Sequence, residues 1–365
     1  MHLPSALSWL IDAASSVAGA DILLAELGAR LIADGVPVAG GALTMTVPDP
    51  IIARRTWLWR AETGAVIEAL GFAGGFAGPM VPTGDAGARW LASVAPGTVQ
   101  EDGAGAGADA PRLGWVGTRG FSATEAEQLR QAARFATAPL AALTARATMT
   151  AALEAYLGRR SAARVMGAPL RRDVGETIRA ALLYADLRGF TALSEAEAPA
   201  DVIAALDQWF DRIALAVQAF GGEVLKFIGD GVLAIFPVSG ASPRDACAAA
   251  LRAVTAAQAG MKHLDATRRE RGQHPMPFGV AVHLGEIYWG NIGAADRLDF
   301  TAIGPAVNLV SRLEGLCRPL ERTVLISGAV AAETETKLVS LGTHELRGIA
   351  APCAVFTLPD IGGPD

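Results

Sequence analysis

Two aspartates follow apolar runs in the middle of the chain, and their placement is typical of a metal site. Asp186 closes the run 179–185, and Asp230 lies in a Gly-Asp-Gly turn between two further apolar runs. A strand ending in Asp and a tight hairpin with Asp at its tip can hold two carboxylates side by side at one sheet edge. Carboxylates without nearby Cys or His suit a hard cation such as Mg2+, which usually also carries substrate phosphates. The pair therefore predicts nucleotide chemistry. The alternative is structural, with Asp186 capping a helix and Asp230 forming the turn.

One lysine lies beside this acidic hairpin in a chain that otherwise uses arginine. The basic residues are 28 arginines and three lysines, which are Lys226, Lys262 and Lys337. Because Lys226 lies in the apolar run just before Asp230, its presence there requires an explanation of its own.

Composition and charge exclude several classes of protein. The chain has 365 residues, 51% hydrophobic and 19% charged, so we expect folded domains rather than disorder. It has no run of 18 apolar residues, and its N-terminus lacks the basic region of a signal peptide, which predicts a cytoplasmic protein without a membrane span. A net charge of −6 disfavours a nucleic-acid partner. Three scattered cysteines predict neither a disulfide framework nor a zinc site.

The first half of the chain predicts helices followed by strands and loops. Apolar residues at helical spacing indicate one or two helices, and short apolar runs between turn residues indicate strands. The elements are helices within 5–35, strands at 42–47, 56–59 and 113–116, a turn at 48–50, and loops over 71–107 with a short helix at 86–92.

A long helix is predicted to leave this region. Ser122 and Glu125 have capping-box spacing, which predicts a helix from Ala123 to about Leu157. The polar stretch that follows it breaks the helical periodicity. We therefore predict three parts: an N-terminal domain over 1–130, a coupling helix and linker over 131–175, and a C-terminal domain over 176–360.

The C-terminal domain begins with the β-α-β-β-α-β order of the ferredoxin-like unit, an antiparallel sheet with helices on one face. These elements are predicted at 178–186, 199–220, 223–228, 231–237, 243–271 and 277–284. The rest are strands at 286–292 and 298–303, helix 305–317, strand 323–327, helix 328–336, and strands near 339–346 and 353–358. The fold class is therefore α+β.

Three motifs in this domain resemble the class III nucleotide cyclases. They are Ala-Asp-Leu-Arg-Gly-Phe-Thr at 185–191, Lys-Phe-Ile-Gly-Asp-Gly at 226–231, and Phe-Thr-Ala-Ile-Gly running into Val-Asn-Leu-Val-Ser-Arg-Leu-Glu at 300–314. They occur in the family's order, and the resemblance covers 178–358, about half of the chain. It implies attack of a ribose 3′-oxygen on the α-phosphorus of its own nucleoside triphosphate, with release of pyrophosphate.

The resemblance also implies two divalent ions per site, Mg2+ or Mn2+. Asp186 and Asp230 would hold them, with a possible further ligand in the carbonyl of Leu187. Backbone amides after the first aspartate would cradle phosphate, at Gly189, Phe190 and Thr191.

In this family a second subunit completes the site, so the resemblance implies a homodimer with shared active sites. Asn308 would orient the ribose, and Arg312 would stabilise charge on the phosphorus. The two residues are four apart on a predicted helix and share one face. The alternative for Arg312 is a structural salt bridge to Glu314 or Asp299.

The purine and the triphosphate would be recognised by four other residues. Lys226 and Thr301 match the base-reading positions, and Arg297 and Arg347 match places where the family has triphosphate-binding cations. Adenine presents an acceptor at N1 and a donor at N6, so an ammonium beside an oxygen is complementary to it. Guanylate cyclases characteristically have Glu at the position of Lys226. The pair therefore implies ATP and is similar to the Lys–Thr subgroup of adenylate cyclases, in which bicarbonate stimulation has been described.

The N-terminal domain is similar to a GAF-type sensor in its order of elements and in the phrase that begins at Gly120-Phe121-Ser122. A domain used only for dimerisation is the alternative, and an unknown small-molecule effector is left open.

As a whole, the sequence predicts an adenylate cyclase that makes 3′,5′-cyclic AMP and is regulated through its N-terminal domain. A guanylate cyclase and a catalytically silent nucleotide-binding module are the alternatives.

Overall fold

The chain divides into two compact units, Met1–Ala152 and Leu153–Asp365. The computed structural model describes residues 3–47, 52–72, 86–107, 109–172, 174–238 and 242–359. The turn predicted at 48–50 and the part of the predicted loop region at 73–85 lie outside these ranges. Among the described residues, no helix has the length and apolar character needed to cross a bilayer.

The first unit is a five-stranded antiparallel sheet with helices on both faces. Its elements are α1 (Ser5–Asp12), α2 (Ala20–Ala33), β1 (Val38–Thr46), β2 (Ile52–Arg60), β3 (Val66–Phe72), α3 (Ala86–Val94), β4 (Val99–Gly103), β5 (Arg112–Gly117), α4 (Ala123–Phe135) and α5 (Thr137–Leu157), which runs past its end. The strands lie in the order β3-β2-β1-β5-β4.

Alternation along β1 explains why both faces of this sheet are covered. Leu43 belongs to the core formed with α1, α2, α4 and the start of α5, whereas its neighbour Ala42 packs against α3 on the other face. Successive strand residues point to opposite faces, so one strand serves both cores. Strands β3 and β4 were not predicted. The GAF likeness of this unit stays a prediction.

The predicted long helix is two helices. Its start is confirmed: Glu125 N donates to Ser122 Oγ at 3.4 Å, and Ser122 N donates to Glu125 Oε2 at 2.7 Å. The helix ends at Phe135, and a new one begins at Thr137. Pro139 is the reason, because proline has no N–H to donate to the carbonyl of Phe135 and its ring crowds that carbonyl.

The second unit is built on an eight-stranded sheet. Its elements are α6 (Arg159–Gly167), β6 (Gly175–Leu187), α7 (Phe190–Ala196), α8 (Pro199–Ala219), β7 (Glu223–Ile228), β8 (Gly231–Pro237), α9 (Pro243–Glu270), β9 (Phe278–Gly293), β10 (Leu298–Ile303), α10 (Pro305–Glu314), β11 (Val324–Ser327), α11 (Gly328–Ala331), β12 (Val339–His344) and β13 (Cys353–Thr357). The order is β12-β13-β11-β9-β6-β8-β7, with β10 paired to β9. The predicted β-α-β-β-α-β unit is present as β6-α8-β7-β8-α9-β9.

Helices α8 and α9 bury one face of this sheet, and α10 buries part of the other. Trp209 and Val254 belong to the first core, and Val310 and Leu313 to the second. Two predicted strands, 277–284 and 286–292, are one continuous strand, β9, because β6 pairs with it from Gly175 to Leu187. Gly285 does not break the strand; a Cβ there would lie 2.6 Å from the Cβ of Ala306, so this glycine lets α10 pack closely.

Candidate active site

The structure brings Asp186 and Asp230 together at one edge of the second sheet. Asp186 is next to last in β6, and Asp230 lies in the two-residue turn between β7 and β8. Ala185 of β6 pairs with Val232 of β8, which places the turn directly beside Asp186. The two side chains are close enough that the Asp230 carboxylate raises the pKa of Asp186. The predicted side-by-side pair is therefore present in the geometry of a single chain.

Helix α8 stabilises the turn that carries Asp230. Trp209 is fully buried on that helix, and its Nε1 donates to the backbone carbonyl oxygen of Asp230 at 2.8 Å. Gly229, the other turn residue, has a φ of 64°, a left-handed conformation that favours glycine. Helix α7 begins after Gly189 and has no side-chain cap, so Asp186 does not act as the capping residue of the structural alternative.

The pair of carboxyl groups fits a cation. Burial, followed by the neighbouring Asp230 carboxylate, raises the pKa of Asp186 to about 7, while the backbone N–H of Leu187 opposes this shift. Each carboxylate makes ionisation of the other less favourable, and a bound divalent ion would relieve this repulsion. The described residues contain no group of three or more Asp, Glu, His or Cys side chains arranged for a metal. Phosphate and water oxygens would therefore complete the coordination of Mg2+.

Two further ionisable groups lie close to the aspartates, and the sequence did not single them out as part of the site. Burial and then the Asp186 charge raise the pKa of Tyr184 to about 12. Burial also raises the pKa of Glu314 on α10; the nearby Arg188 opposes this shift and Asp230 adds to it. Glu314 can approach the aspartates because Gly279, which lies next to it on β9, has no side chain. A Cβ at Gly279 would lie 2.2 Å from Glu314 Oε1. Tyr184 is therefore neutral at pH 7, and Glu314 and Arg188 bring charges of opposite sign near the two aspartates.

Lys226 and Thr301 lie on two strands, β7 and β10, that do not pair with each other but are joined by a side-chain contact. The contact uses an acid that sequence reasoning did not assign to base recognition. Lys226 on β7 forms an ion pair with Asp299 on β10. Asp299 and Thr301 are two residues apart on β10, so they share the face opposite the buried residues Phe300 and Ala302. The i, i+2 spacing in the sequence was the available signal for Asp299.

Asn308 and Arg312 project away from the core of their own chain. Both are exposed on α10, whereas Ala306, Val310 and Leu313 on the opposite side of the helix are buried. Exposure of Arg312 and the pairing of Asp299 with Lys226 do not support the predicted structural alternative, a buried salt bridge of Arg312. Neither Asn308 nor Arg312 touches the two aspartates in the contacts that the structure describes.

The other predicted site residues lie at the start of α7 and in two segments that connect strands. Gly189 is in the left-handed conformation at the start of α7, followed by Phe190 and Thr191. Arg297 is exposed in the turn between β9 and β10, and Arg347 is exposed in the segment between β12 and β13. Among the described contacts, neither arginine touches the aspartate pair.

Comparison with known proteins places this geometry in a family. Residues 174–358 match the family model described as the adenylate and guanylate cyclase catalytic domain, which is half of the chain. The chain therefore belongs to the adenylate and guanylate cyclase family and carries its catalytic domain.

Relatives and solved structures agree with this assignment. Over 176 residues the chain is 33% identical to adenylate cyclase 1 of Rhizobium meliloti, covering 48% of this chain and 26% of that protein. Over 157 residues it is 32% identical to an adenylate cyclase of Anabaena cylindrica, covering 42% of this chain and 30% of that protein. The matched regions thus span under a third of either relative. A bacterial light-regulated adenylyl cyclase shares the fold, with a TM-score of 0.51 and 24% identity over 60% of this chain and 62% of that chain.

Proposed function

We propose that this protein is an adenylate cyclase that converts ATP into 3′,5′-cyclic AMP and pyrophosphate. The observation that carries the proposal is the adjacent pair Asp186 and Asp230, which lies at the same sheet edge as the β7–β8 hairpin that carries Lys226. Two of the relatives are named as adenylate cyclases, which supports ATP as the substrate. The cyclase family membership supports the class of reaction.

Asp186 and Asp230, with the carbonyl of Leu187, would hold two Mg2+ or Mn2+ ions. When bound, such ions lower the pKa of the 3′-hydroxyl and neutralise charge on the phosphates. The contribution of the chain itself is to hold the two carboxylates side by side and to orient the triphosphate through the amides at the start of α7. Removal of either carboxylate would leave the fold intact and abolish turnover.

Lys226 and Thr301 would read adenine. The ammonium of Lys226 donates to the acceptor at N1, and the hydroxyl of Thr301 accepts from the N6 amino group. Asp299 supports this role because its carboxylate holds Lys226 on the face that Thr301 shares. The ion pair also occupies one oxygen of the Asp299 carboxylate. That oxygen would otherwise attract the N1–H donor of guanine. We therefore expect preference for ATP over GTP.

A second copy of the chain would complete each site with Asn308 and Arg312. Their exposure supports this arrangement, since neither faces the aspartates of its own chain. Three apolar side chains beside the site residues support it further: Phe227, Ile228 and Ile303 are 49%, 49% and 48% exposed. Apolar groups left in water beside a site are typical of a surface that a partner covers. Arg312 would then stabilise the charge that develops on phosphorus.

Regulation through the N-terminal unit is the last part of the proposal. That unit has an open cavity of about 380 Å3 between the start of α2 and strands β2 and β3, lined by Gly19, Ala20, Asp21, Arg55, Trp57, Val66 and Glu68. Its mixture of an aromatic ring with charges of both signs supports a small polar effector of a GAF-like sensor.

Assay of purified protein with ATP or GTP and either Mg2+ or Mn2+ tests the proposal. We expect cyclic AMP and pyrophosphate, with ATP preferred by about tenfold to several hundredfold, the range given by one mispaired polar contact. Faster formation of cyclic GMP would replace the proposal with a guanylate cyclase. Nucleotide binding without any cyclic product, at ample metal and with dimer present, would replace it with a silent signalling module.

A further inference from the structure

A buried carboxylate at the start of β7 has no part in the chemistry described above. Glu223 is only 6% exposed, and it accepts three hydrogen bonds from the first turn of α6. The donors are Arg160 N at 3.1 Å, Ser161 N at 3.0 Å and Ser161 Oγ at 2.5 Å. A carboxylate on the free N–H groups of a helix start is favourable in both hydrogen bonding and charge. Glu223 therefore fastens α6 to β7.

The chain before α6 is shaped to fit this carboxylate. Gly158 has a φ of 81°, and a Cβ at this position would lie 3.0 Å from Glu223 Oε1. The guanidinium of Arg160 adds a hydrogen bond to the carbonyl oxygen of Gly221 at 3.0 Å, just before β7 begins. Gly158, Glu223 and Arg160 thus connect α6 to β7, and we call this connection the joint.

The joint lies three residues from the base-reading lysine, with a β-bulge between them. Val224 pairs with Ala234 and Lys226 pairs with Leu233, so Leu225 is an extra residue on β7. A bulge redirects the side chains that follow it and makes their direction sensitive to where the strand is held. Glu223 and Lys226 thus lie on opposite sides of this bulge.

Helix α6 is also linked, through two aromatic side chains, to β10, the strand that carries Thr301. Arg164 pairs with Glu176 of β6 at 2.6 Å and lies 4.6 Å from the ring centroid of Trp289. The Trp289 ring in turn packs edge-on against Phe300 of β10 at 5.5 Å, and Phe300 directly precedes Thr301. One helix is thus linked to both Lys226 and Thr301.

We propose that Glu223 is a positioning residue for purine recognition: by docking α6 on β7 it sets the placement of Lys226 relative to Thr301. The inference rests on the proposed cyclase function. Contacts with the purine are present both before and during the reaction. Their loss therefore raises KM and lowers base selectivity without a matching loss of kcat.

The test compares Glu223→Gln with Glu335→Gln in the full-length protein. Glu335 pairs with Arg244 on the surface, and its side chain is 80% exposed, so it controls for loss of a carboxylate in an ion pair. For Glu223→Gln we expect KM for ATP to rise about tenfold and the ATP-to-GTP preference to fall by a similar factor, with kcat within about twofold. Ser161→Ala keeps the carboxylate and removes one hydrogen bond, so we expect the same direction of change at about threefold.

Hydrogen–deuterium exchange separates failure of this inference from failure of the proposed function. Glu223→Gln should accelerate exchange in α6 and in β7 through Lys226, whether or not the protein turns over ATP. Absence of cyclase activity in the unchanged protein would remove the proposed function, and the exchange result would then decide the inference. Faster exchange confined to α6, or an active variant whose KM and base preference match those of Glu335→Gln, would overturn it. If Glu223→Gln does not fold, Ser161→Ala is judged by the same criteria.

Discussion

Mixing two inactive variants should restore activity if the active site is divided between subunits as proposed. Asp186→Ala removes a carboxylate from one half-site, and Arg312→Ala removes the guanidinium from the other. In a heterodimer of these chains, one site lacks both groups and the other keeps every residue. Each variant alone has a defect in both of its sites, so each should lose turnover by about 100-fold or more, the usual cost of removing one group that stabilises the transition state.

The magnitude of the recovery follows from the symmetry of the dimer. Equal amounts of the two chains that associate at random give heterodimers as half of all dimers, each with one intact site. Turnover per chain should therefore return to about one quarter of the unchanged protein's value. The assay is cyclic AMP formation from ATP after co-expression of differently tagged chains and purification through both tags, which isolates the heterodimer and raises the expected value to about one half.

The control is a mixture of Asp186→Ala with Asp230→Ala. These residues are in the same half-site, so every site of that heterodimer lacks one carboxylate and no recovery is expected. Two results would refute the reasoning. One is a confirmed Asp186→Ala and Arg312→Ala heterodimer with no more activity than its parents, and the other is equal recovery in the control mixture.

Three other predictions follow from the described contacts. Lys226→Glu should shift the preference from ATP toward GTP by about tenfold or more, measured with both nucleotides in competition, whereas Lys262→Glu on the exposed side of α9 should leave the ratio unchanged. For metal-free protein, the raised folded-state pKa of Asp186, about 7, means that stability is present at low pH and is lost as pH rises through that value. Melting temperature in the presence of a chelator should therefore fall between about pH 4 and pH 7 and level off above that, and Asp230→Asn should reduce this dependence; a rise over that interval would contradict the assignment. Trp209→Phe leaves the Asp230 carbonyl without its donor and should lower the free energy of unfolding by about 1–3 kcal/mol in urea titrations, and an unchanged value would show that this hydrogen bond carries no stability.

The C-terminal fold was predictable where local signals agree with tertiary packing. Helix α8 begins at Pro199 and is followed by Gly221 and Gly222, which are strong start and stop signals for a helix. The aspartate pair was predictable for a related reason: each aspartate comes directly after an apolar run, and the ends of neighbouring antiparallel strands meet at one sheet edge. Proximity of the two carboxyl groups therefore follows from strand ends alone.

Features that depend on packing between distant segments were not predictable. Gly285 looks like a strand breaker in the sequence, but it lies where α10 approaches β9, a contact that sequence spacing does not reveal. The ion pair of Lys226 with Asp299 joins residues 73 positions apart, and the approach of Glu314 to Asp230 depends on how α10 lies on the sheet. The break before α5 is different, because Pro139 lies in the first turn of α5, where proline is tolerated, and is itself a sequence signal for a new helix.

The two sides of α10 have different roles, and this has a consequence for how much product a cell would obtain. The inner side packs in the core of a single copy, while in the proposed dimer the outer side holds groups that only the site of the partner would use. With the site divided in this way, newly made molecules would stay silent until they meet. At scarce supply, doubling the amount of protein would raise the second-messenger signal about fourfold, because the working species is a pair. The signal would then depend on the square of gene dosage rather than in proportion to it.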